Sequence, residues 1–269
     1  MKEIITDGNC LADAYAGFLS KGKGTHTNFY GTAEELTRLA EGGKLIRQTF
    51  SGGFYLFSAE ENKTDLFYFL EKDAEPVPFE AEVLPVLLEQ VALAGKERVP
   101  SDEAWQKLGF MPYVLRKRMF LSAKKTEAEE RTVSFAQAGD AEEIFSLMQN
   151  SFEPFTSALP SMEELEKDIS EQKVIVKKEG EHLLGYLRFG RERKCSVLWQ
   201  IAVSEESRGK GAAEALVRDW VSLERPDVLK FQLWVREDNP SALRLYEKTG
   251  FLPDGRIAPV MIKKENEQV

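Results

Sequence analysis

One glycine-rich turn in the chain has the composition of a phosphate-binding loop. Residues 204–217 read SEESRGKGAAEALV and follow the apolar run SVLWQIAV. Gly209 and Gly211 let the backbone turn sharply and approach a ligand closely. The amides that follow are expected at the open N-terminus of a helix, where unpaired N–H groups and the helix dipole attract anions. These are the amides of Lys210, Gly211, Ala212 and Ala213. An ordinary glycine turn before a helix would give the same pattern.

The side chains of this turn suit a diphosphate. Arg208 and Lys210 add positive charge locally, although the formal net charge of the chain is −9. Small residues at 212 and 213 leave room for a bulky anion. The sequence therefore predicts that this turn binds a phosphorylated ligand.

A second segment, NPSALRLYEKTGF at 239–251, has clear helix boundaries. Asn239 is a suitable N-cap, and Pro240 suits the first helical position. Gly250 is the expected C-terminal glycine. Tyr246 lies on the same helix. Either its hydroxyl takes part in hydrogen bonding or proton transfer, or the residue is a half-buried tyrosine that only packs.

Together the two segments resemble the signatures of the GNAT N-acetyltransferases. The first signature, Arg/Gln-x-x-Gly-x-Gly/Ala after the fourth strand, is matched by Arg208, Gly211 and Ala213. The second, Asn-x-x-Ala-x-x-x-Tyr-x-x-x-Gly-Phe, is matched by Asn239, Ala242, Tyr246, Gly250 and Phe251. The resemblance covers roughly residues 132–264, in order.

The resemblance implies an acetyl-CoA site. In this family acetyl-CoA, a co-substrate, lies in a V-shaped split between the fourth and fifth strands, here 196–203 and 229–235. The pantetheine arm would pair with the backbone near Ile201 and Val203, and the pyrophosphate would lie on the amides of 208–213. Asn239 is similar to the residue that helps to hold the pantetheine region. No metal is implied.

The resemblance also implies direct transfer of the acetyl group to an amine in a ternary complex. Tyr246 matches the tyrosine that often protonates the departing CoA thiolate, a proton that this chemistry requires. Many relatives use a glutamate of the fourth strand as the base, but Gln200 stands in that strand and cannot accept a proton. Candidates for the base are Glu153, Glu205, Glu237 and Asp238. A water chain, or an acceptor that arrives neutral, are the alternatives.

The acceptor pocket of the family is usually shaped by the loop between the first two helices, here NSFEPFTSALP. Phe152, Glu153 and Phe155 are the candidate lining residues, because an acid between aromatic rings suits an amine. The alternative is that the phenylalanines belong to the core. A small-molecule amine and a protein N-terminus both remain open as acceptors.

The order of predicted elements suggests two similar halves, although short mixed α/β patterns often resemble one another. The polar stretch 122–131 is expected to be a linker between a first domain, 1–121, and a second, 132–264, followed by a tail, 265–269. In both halves strands alternate with helices, and SDEAWQKLGF parallels NPSALRLYEKTGF. We therefore expect a diverged internal repeat. The predicted fold class is α/β, with two acyl-CoA N-acyltransferase-like domains in tandem, each a mostly antiparallel sheet flanked by helices.

Most predicted elements follow from apolar periodicity. Predicted helices of the first half are CLADAYAGFL, TAEELTRLAEGG with a Thr32/Glu35 capping box, EAEVLPVLLEQVALAG and the start of SDEAWQKLGF. Predicted helices of the second half begin near 140, 161, 212 and 240. Its predicted strands are TVSFA, KVIVKK, HLLGYLRFG, CSVLWQIAV, LKFQLWV and IAPVMIKK.

The first half lacks a phosphate cradle at the equivalent position. After the strand DLFYFL, the loop EKDAEPVPFE is acidic, and its two prolines lack backbone donors. The first domain is therefore expected to be degenerate and non-catalytic, packing against the second domain and shaping the acceptor site.

An earlier Gly-Lys-Gly, in GFLSKGKGTHTN, nearly matches a nucleotide-binding P-loop through Gly17, Gly22 and Lys23. Gly24 stands where that motif has a hydroxyl, and a helical pattern precedes it where a strand is needed. A basic loop is the favoured interpretation, and ATP binding is the alternative.

Composition limits the remaining function classes. The 269 residues are 42% hydrophobic, and the basic residues are spread along an acidic chain, which disfavours nucleic-acid binding. No apolar run reaches the length of a membrane span, and the first residues do not resemble a signal peptide. Two cysteines, Cys10 and Cys195, fit free thiols in the cytoplasm. The expected protein is a monomer or homodimer, and a non-catalytic acyl-CoA-binding or interaction protein of the same fold is the alternative function.

Overall fold

The structure is a computed structural model in which residues 2–5, 8–20, 25–32, 36–37, 39–40, 45–126 and 131–264 are described. The chain forms two compact units. Unit 1 comprises Met1–Leu115 with Ile257–Val269, and unit 2 comprises Arg116–Arg256. Both boundaries fall inside long strands, so each unit includes a strand from the other half of the chain. The boundaries of the two units therefore differ from the expected ones at 121 and 132. The expectation assigned the last strand of each half to the domain formed by that half.

The strands are numbered in chain order. Those of the first half are β1 (Lys2–Ile5), β2 (His26–Thr27), β3 (Leu45–Phe50), β4 (Gly53–Ala59), β5 (Thr64–Leu70), β6 (Val86–Glu89), β7 (Ala92–Leu93) and β8 (Met111–Ser122). Those of the second half are β9 (Ser134–Phe135), β10 (Val174–Glu179), β11 (His182–Glu192), β12 (Cys195–Val203), β13 (Lys230–Arg236) and β14 (Leu252–Lys263).

The helices are numbered in the same way. They are α1 (Gly8–Ser20), α2 (Asp102–Gln106), α3 (Ala141–Ser151), α4 (Met162–Ser170), α5 (Ala212–Glu224) and α6 (Pro240–Lys248). Several sequence predictions lie partly or wholly outside the described residues, among them the Thr32/Glu35 capping box at Glu35, the linker at 127–130, and the tail 265–269.

The sheet of unit 1 has the order β1-β3-β4-β5-β6-β14, with β2 paired to β5. Its described pairs are antiparallel except for β5 and β6, which run parallel. Aromatic side chains fill the space around this sheet, including the fully buried Tyr55, Phe69 and Trp105. This half of the chain therefore has a core of its own.

The helix predicted over 80–95 is wrong. This segment contains the strands β6 and β7, and Val86 and Leu88 are fully buried in the sheet. Pro85 lacks a backbone donor and opposes a continuous helix. The consequence is functional, because every residue of 71–85 is described and none of them forms a helix after β5.

The sheet of unit 2 has the order β8-β13-β12-β11-β10-β9. Strands β12 and β13 run parallel, and the other described pairs are antiparallel. The last residues of β8, Arg116 to Ser122, pair with β13. The mixed, mostly antiparallel architecture predicted from the sequence is thus confirmed.

Local sequence signals explain where the helices of unit 2 begin. Ser161 and Glu164 form a reciprocal capping box at the start of α4, as predicted. Asn239 caps α6, and Pro240 occupies its first turn. After α6, Gly250 adopts a φ of 91°, which favours glycine.

Two apolar clusters cover the two faces of the unit 2 sheet. Trp220 of α5 packs with Phe231 and Phe251, and its indole nitrogen donates to the Ser196 hydroxyl at 2.9 Å. On the other face, α3 and α4 bury Ile144, Met148, Leu165 and Tyr186. The sheet between these layers supports the functional residues described next.

Candidate functional site

Strands β12 and β13 separate partway along their length. Their paired residues run from Cys195 with Lys230 to Leu198 with Leu233, and no pairs follow Leu198 and Leu233 in these described strands. Strand β12 nevertheless continues to Val203 and β13 to Arg236. The backbone around Ile201 and Val203 therefore borders a split between the two strands. The resemblance implied the pantetheine arm at this position, and that role stays a prediction.

A β-bulge lies where the strands separate. Across β11, Phe189 faces Leu198 and Arg188 faces Gln200, so Trp199 is the extra residue. The indole of Trp199 lies against Gly190, where an added Cβ would come within 2.1 Å of the ring. This close approach explains why a glycine stands at that position.

The loop after β12 leads directly into α5. Gly209 and Gly211 have φ values of 75° and 85°, and Gly211 is the N-cap of the helix. Ala212 and Ala213 then form the first turn, where backbone amides lack intrahelical acceptors. The predicted helix N-terminus is therefore present, with its two glycines in the conformation that favours glycine.

Lys210 departs in part from its predicted role. Its amide donates to the Ser207 carbonyl at 3.3 Å, so this N–H closes a turn. Both Arg208 and Lys210 are exposed, and the guanidinium of Arg208 lies 3.6 Å from the Glu205 carboxylate. The side chains of Arg208 and Lys210 supply positive charge at the rim of the glycine turn. The backbone amides that remain available for a ligand belong to the residues after Lys210, in the first turn of α5.

An acidic residue in the same turn of α5 is neutralised by its neighbours. The Glu214 carboxylate lies 2.5 Å from the Lys248 ammonium and 3.1 Å from the Arg218 guanidinium. The bonds from Lys248 and Arg218 lower the pKa of Glu214 below its ordinary value. The paired carboxylate thus opposes anion binding much less than an isolated one would.

Tyr246 and Asn239 both lie on α6. The Tyr246 side chain is 4% exposed, and burial raises the pKa of its hydroxyl, which keeps the phenol protonated at neutral pH. The side-chain oxygen of Asn239 accepts from the Ala242 amide at 3.1 Å and from the Ser241 hydroxyl at 2.8 Å. The oxygen of Asn239 is thus used as a helix cap, which leaves its NH₂ group as the part suited to a ligand.

Glu153 is held within the loop that follows α3. Its carboxylate accepts from the amides of Phe155 and Thr156 at 2.8 and 3.0 Å, and from the Thr156 hydroxyl at 2.8 Å. Arg236 also lies 3.4 Å away. Phe152 packs against the core formed by α3 and α4, as its alternative interpretation predicted. Glu153 therefore shapes this loop, and its acidity is offset by these donors.

The other acidic candidates for a base are paired with cations. Glu237 lies 2.6 Å from the Lys117 ammonium, and Glu205 pairs with Arg208. Asp238 bonds Arg236 at 2.9 Å, and this hydrogen bond lowers the pKa of Asp238. A carboxylate with a lowered pKa is a weaker base, which argues against Asp238. Glu237 and Glu205 are each engaged with a basic side chain.

Gln200 belongs to a buried polar network that sequence reasoning missed. Its Oε1 accepts from Arg188 at 2.9 Å, and its Nε2 donates to the Ala158 carbonyl at 2.8 Å. Arg188 also donates to Asp168 at 2.7 Å and lies 4.6 Å from the centre of the Trp199 ring. The network joins the bulge in β12 to the predicted acceptor loop. A polar residue in an otherwise apolar strand was its only sequence signal.

Several remaining predictions are limited by what the structure describes. Gly22, Lys23 and Gly24 of the first Gly-Lys-Gly lie outside the described residues, so the P-loop alternative stays a prediction. Within the described part of the chain, no cluster of His, Cys, Asp and Glu suits a metal ion. No helix in that part is long and apolar enough to span a membrane. Cys195 is a buried free thiol.

The second half of the chain matches a known family model. The model describes the acetyltransferase (GNAT) family and matches residues 141–251, which include the split, the glycine turn and α6. The chain contains a GNAT acetyltransferase domain. The match supports acyl-CoA-dependent acetyl transfer in general. No protein in the curated set matches the chain.

Solved structures extend the likeness in fold to nearly the whole chain. A GNAT N-acetyltransferase from Sphaerobacter thermophilus aligns with a TM-score of 0.61 and 16% identity, over 98% of this chain and 95% of that one. A GNAT acetyltransferase from Colwellia psychrerythraea gives 0.58 and 11%, over 98% and 100%. A tandem GNAT protein of the clavulanic acid biosynthesis pathway gives 0.50 and 10%, over 82% and 81%. At these identities the comparisons show the GNAT fold, including its tandem form.

Proposed function

We propose that unit 2 is an acetyl-CoA-dependent N-acetyltransferase. The observation that carries this proposal is the continuity of two features: β12 borders the split and then leads through the glycine turn into the N-terminus of α5. An extended ligand with a diphosphate at one end and backbone-pairing amides along its arm fits that path. Acetyl-CoA has this chemistry, and the GNAT family match supports the assignment.

In the proposed reaction, the acceptor amine and acetyl-CoA bind together. The amine nitrogen attacks the thioester carbonyl, a tetrahedral oxyanion forms, and the carbon–sulfur bond breaks to give an amide and a CoA thiolate. The Tyr246 hydroxyl donates its proton to that thiolate. A protonated amine first loses a proton to water, or the amine arrives neutral. In either case its nitrogen loses one further proton to water after the attack, which balances the proton that Tyr246 donates to the thiolate.

The proposed acceptor is an amine, either of a small molecule or of a protein N-terminus. The loop containing Phe152, Glu153 and Phe155 contributes to its pocket. Arg236 offsets the charge of Glu153, so the attraction of this loop for a cation is weaker than the sequence suggests.

Unit 1 is proposed to be a degenerate, non-catalytic member of the same fold. Its loop after β5 carries Glu71, Asp73 and Glu75 and leads to β6 without a helix. No helix N-terminus is therefore available there to bind a diphosphate.

Calorimetric titration with acetyl-CoA tests the cofactor site. Gly211→Glu places a carboxylate at the N-cap of α5 and is expected to weaken binding at least about tenfold. Gly139→Glu adds the same charge at an exposed glycine of the same unit and should leave binding unchanged. Equal affinity in the wild type and Gly211→Glu would place the ligand elsewhere.

Release of free CoA on a panel of amines separates an enzyme from a binding protein. Thiol is measured with a disulfide reagent, and the acetylated product is identified by mass spectrometry. Tight acetyl-CoA binding without turnover on any amine would favour the alternative, a non-catalytic acyl-CoA-binding protein. That alternative is kept because Gln200, in the strand where relatives often place a glutamate, cannot act as a base.

A further inference from the structure

Unit 1 contains a split of its own between two parallel strands. Within these described strands, β5 and β6 pair only at Thr64–Val86 and Asp65–Leu87. Strand β5 nevertheless continues to Leu70. In unit 2, β12 and β13 likewise run parallel, pair at one end and then separate. The two units therefore repeat the same arrangement of strands.

The split of unit 1 is occupied by its own chain. The short strand β2 pairs antiparallel with the far end of β5, through His26–Leu70 and Thr27–Phe69. This part of β5 has no pair with β6. The segment containing β2 therefore lies beside the part of β5 that is not paired with β6.

Asn28, which follows β2, joins the two separated strands. Its Nδ2 donates to the Leu66 carbonyl of β5 at 2.8 Å and to the Glu89 carbonyl of β6 at 3.0 Å. Its Oδ1 accepts from the Tyr68 amide at 2.7 Å. The side chain is nearly inaccessible, with 7% of the residue surface exposed. One carboxamide thus satisfies three backbone groups that face the split.

The residues after Asn28 hold this segment in place. Phe29 is buried, with its ring 5.4 Å from that of Phe67 and 6.1 Å from that of Phe69. The Tyr30 hydroxyl donates to the Val91 carbonyl at 3.0 Å. Displacing the segment would expose a buried aromatic ring and leave buried backbone groups unpaired, and both changes are unfavourable.

We propose that this segment, Thr25 to Tyr30, takes the place in unit 1 that the acyl-CoA arm takes in unit 2. The inference rests on the proposed function of unit 2. The carboxamide of Asn28 offers an N–H donor and a carbonyl acceptor, the same groups that an amide of the pantetheine arm offers to a strand. The chain therefore binds one acyl-CoA. Unit 1 is a scaffold whose split between β5 and β6 is filled by its own residues.

The first experiment measures how many acetyl-CoA molecules the full chain binds. Calorimetry is expected to give one site in the wild type and binding at least about tenfold weaker in Gly211→Glu. A second site in the wild type would overturn the inference, whereas unchanged binding in Gly211→Glu would contradict the proposed cofactor site of unit 2. A complete absence of binding in the wild type would instead contradict the proposed function of unit 2.

The second experiment tests the filled split of unit 1 by hydrogen exchange, first without and then with acetyl-CoA. Hydrogen exchange of the wild type should show a protected Tyr68 amide. Adding acetyl-CoA should slow exchange at 209–214 and leave 64–70 and 86–89 unchanged. Slower exchange in β5 or β6 on adding acetyl-CoA would show that the cofactor enters unit 1, and would overturn the inference.

A matched pair of variants completes this test. Asn28→Ala removes the bridge and is expected to accelerate exchange of the Tyr68 amide about tenfold. Asn62→Ala, at an exposed asparagine of the same unit, should not change it. If Asn28→Ala is too unstable to purify, the wild-type exchange experiment still decides. Wild-type exchange at Tyr68 as fast as at an unprotected amide would contradict the bridge.

Discussion

Gln200 donates a hydrogen bond from its Nε2 to the main-chain carbonyl of Ala158, over 2.8 Å. The donor lies on β12, next to the bulge at which β12 and β13 separate, and the acceptor belongs to the loop between α3 and α4. Arg188 holds the other end of the carboxamide and is itself held by Asp168. The strand that borders the proposed cofactor site is thereby tied to the loop expected to contact the acceptor.

Gln200→Ala should therefore affect the acceptor more than acetyl-CoA. Removing the carboxamide frees the loop at Ala158 and leaves Arg188 with one fewer acceptor. We expect the acceptor KM to rise about tenfold and the free energy of unfolding to fall by about 1 to 3 kcal/mol. Acetyl-CoA affinity, measured by calorimetry, should stay within error. Gln106→Ala, at an exposed glutamine, is the control, and a larger loss for acetyl-CoA than for the acceptor would contradict this role.

The sequence predicted the elements of unit 2 well because their signals are local. Capping residues such as Ser161 and Asn239, and the glycines at 209 and 211, act within one turn of chain. The network around Gln200 was not predictable in this way, because it joins residues from three separate elements. The helix predicted over 80–95 failed for a related reason. Tertiary pairing of β6 with β5 and β14 decided the structure of that apolar segment.

Non-local effects also explain the difference in domain boundaries. The apolar pattern located β14 approximately, as IAPVMIKK, but carried no information about its partners. Pairing of β8 with β13, and of β14 with β6, assigns each strand to the unit built mainly from the other half. The sequence pattern does not show whether a strand pairs within its own half of the chain, as expected, or with strands of the other half.

Tyr246→Phe tests the proposed proton donor. The substitution keeps the buried ring against Phe251 and removes only the hydroxyl. We expect turnover to fall about 10²-fold, the scale of one general acid, with unchanged acetyl-CoA affinity. Because burial raises the pKa of Tyr246, the wild-type rate should show no loss from its ionisation up to pH 9. An unchanged rate in Tyr246→Phe throughout that pH range would remove this residue from the mechanism.

Gly211→Ala tests the backbone conformation of the glycine turn. No atom lies within 4 Å of an added Cβ, so the cost comes from the φ of 85° rather than from a clash. That conformation costs an alanine about 1 to 2 kcal/mol, which we expect as a loss in urea unfolding. Gly139→Ala, at an open position with no positive φ, is the control. Equal losses in the two variants would show that the turn does not depend on glycine.

Asp140 links the stability of unit 2 to pH. Burial acts to raise the pKa of its carboxyl, but the Gln137 amide at 2.8 Å and the Lys178 ammonium outweigh it and hold the pKa below its ordinary value. A carboxyl with a lowered folded-state pKa stabilises the fold above its unfolded pKa of about 4. That stabilisation is lost as the pH falls through the folded-state pKa.

Asp140→Asn should therefore be less stable than the wild type at pH 7, by about 1 kcal/mol, and the difference should shrink as the pH falls from 5 towards 2. Urea unfolding at a series of pH values measures both effects. Glu166→Gln removes a carboxylate at an exposed position of α4 and serves as the control. A constant difference between Asp140→Asn and the wild type down to pH 2 would mean that the charge of Asp140 is not what stabilises the start of α3.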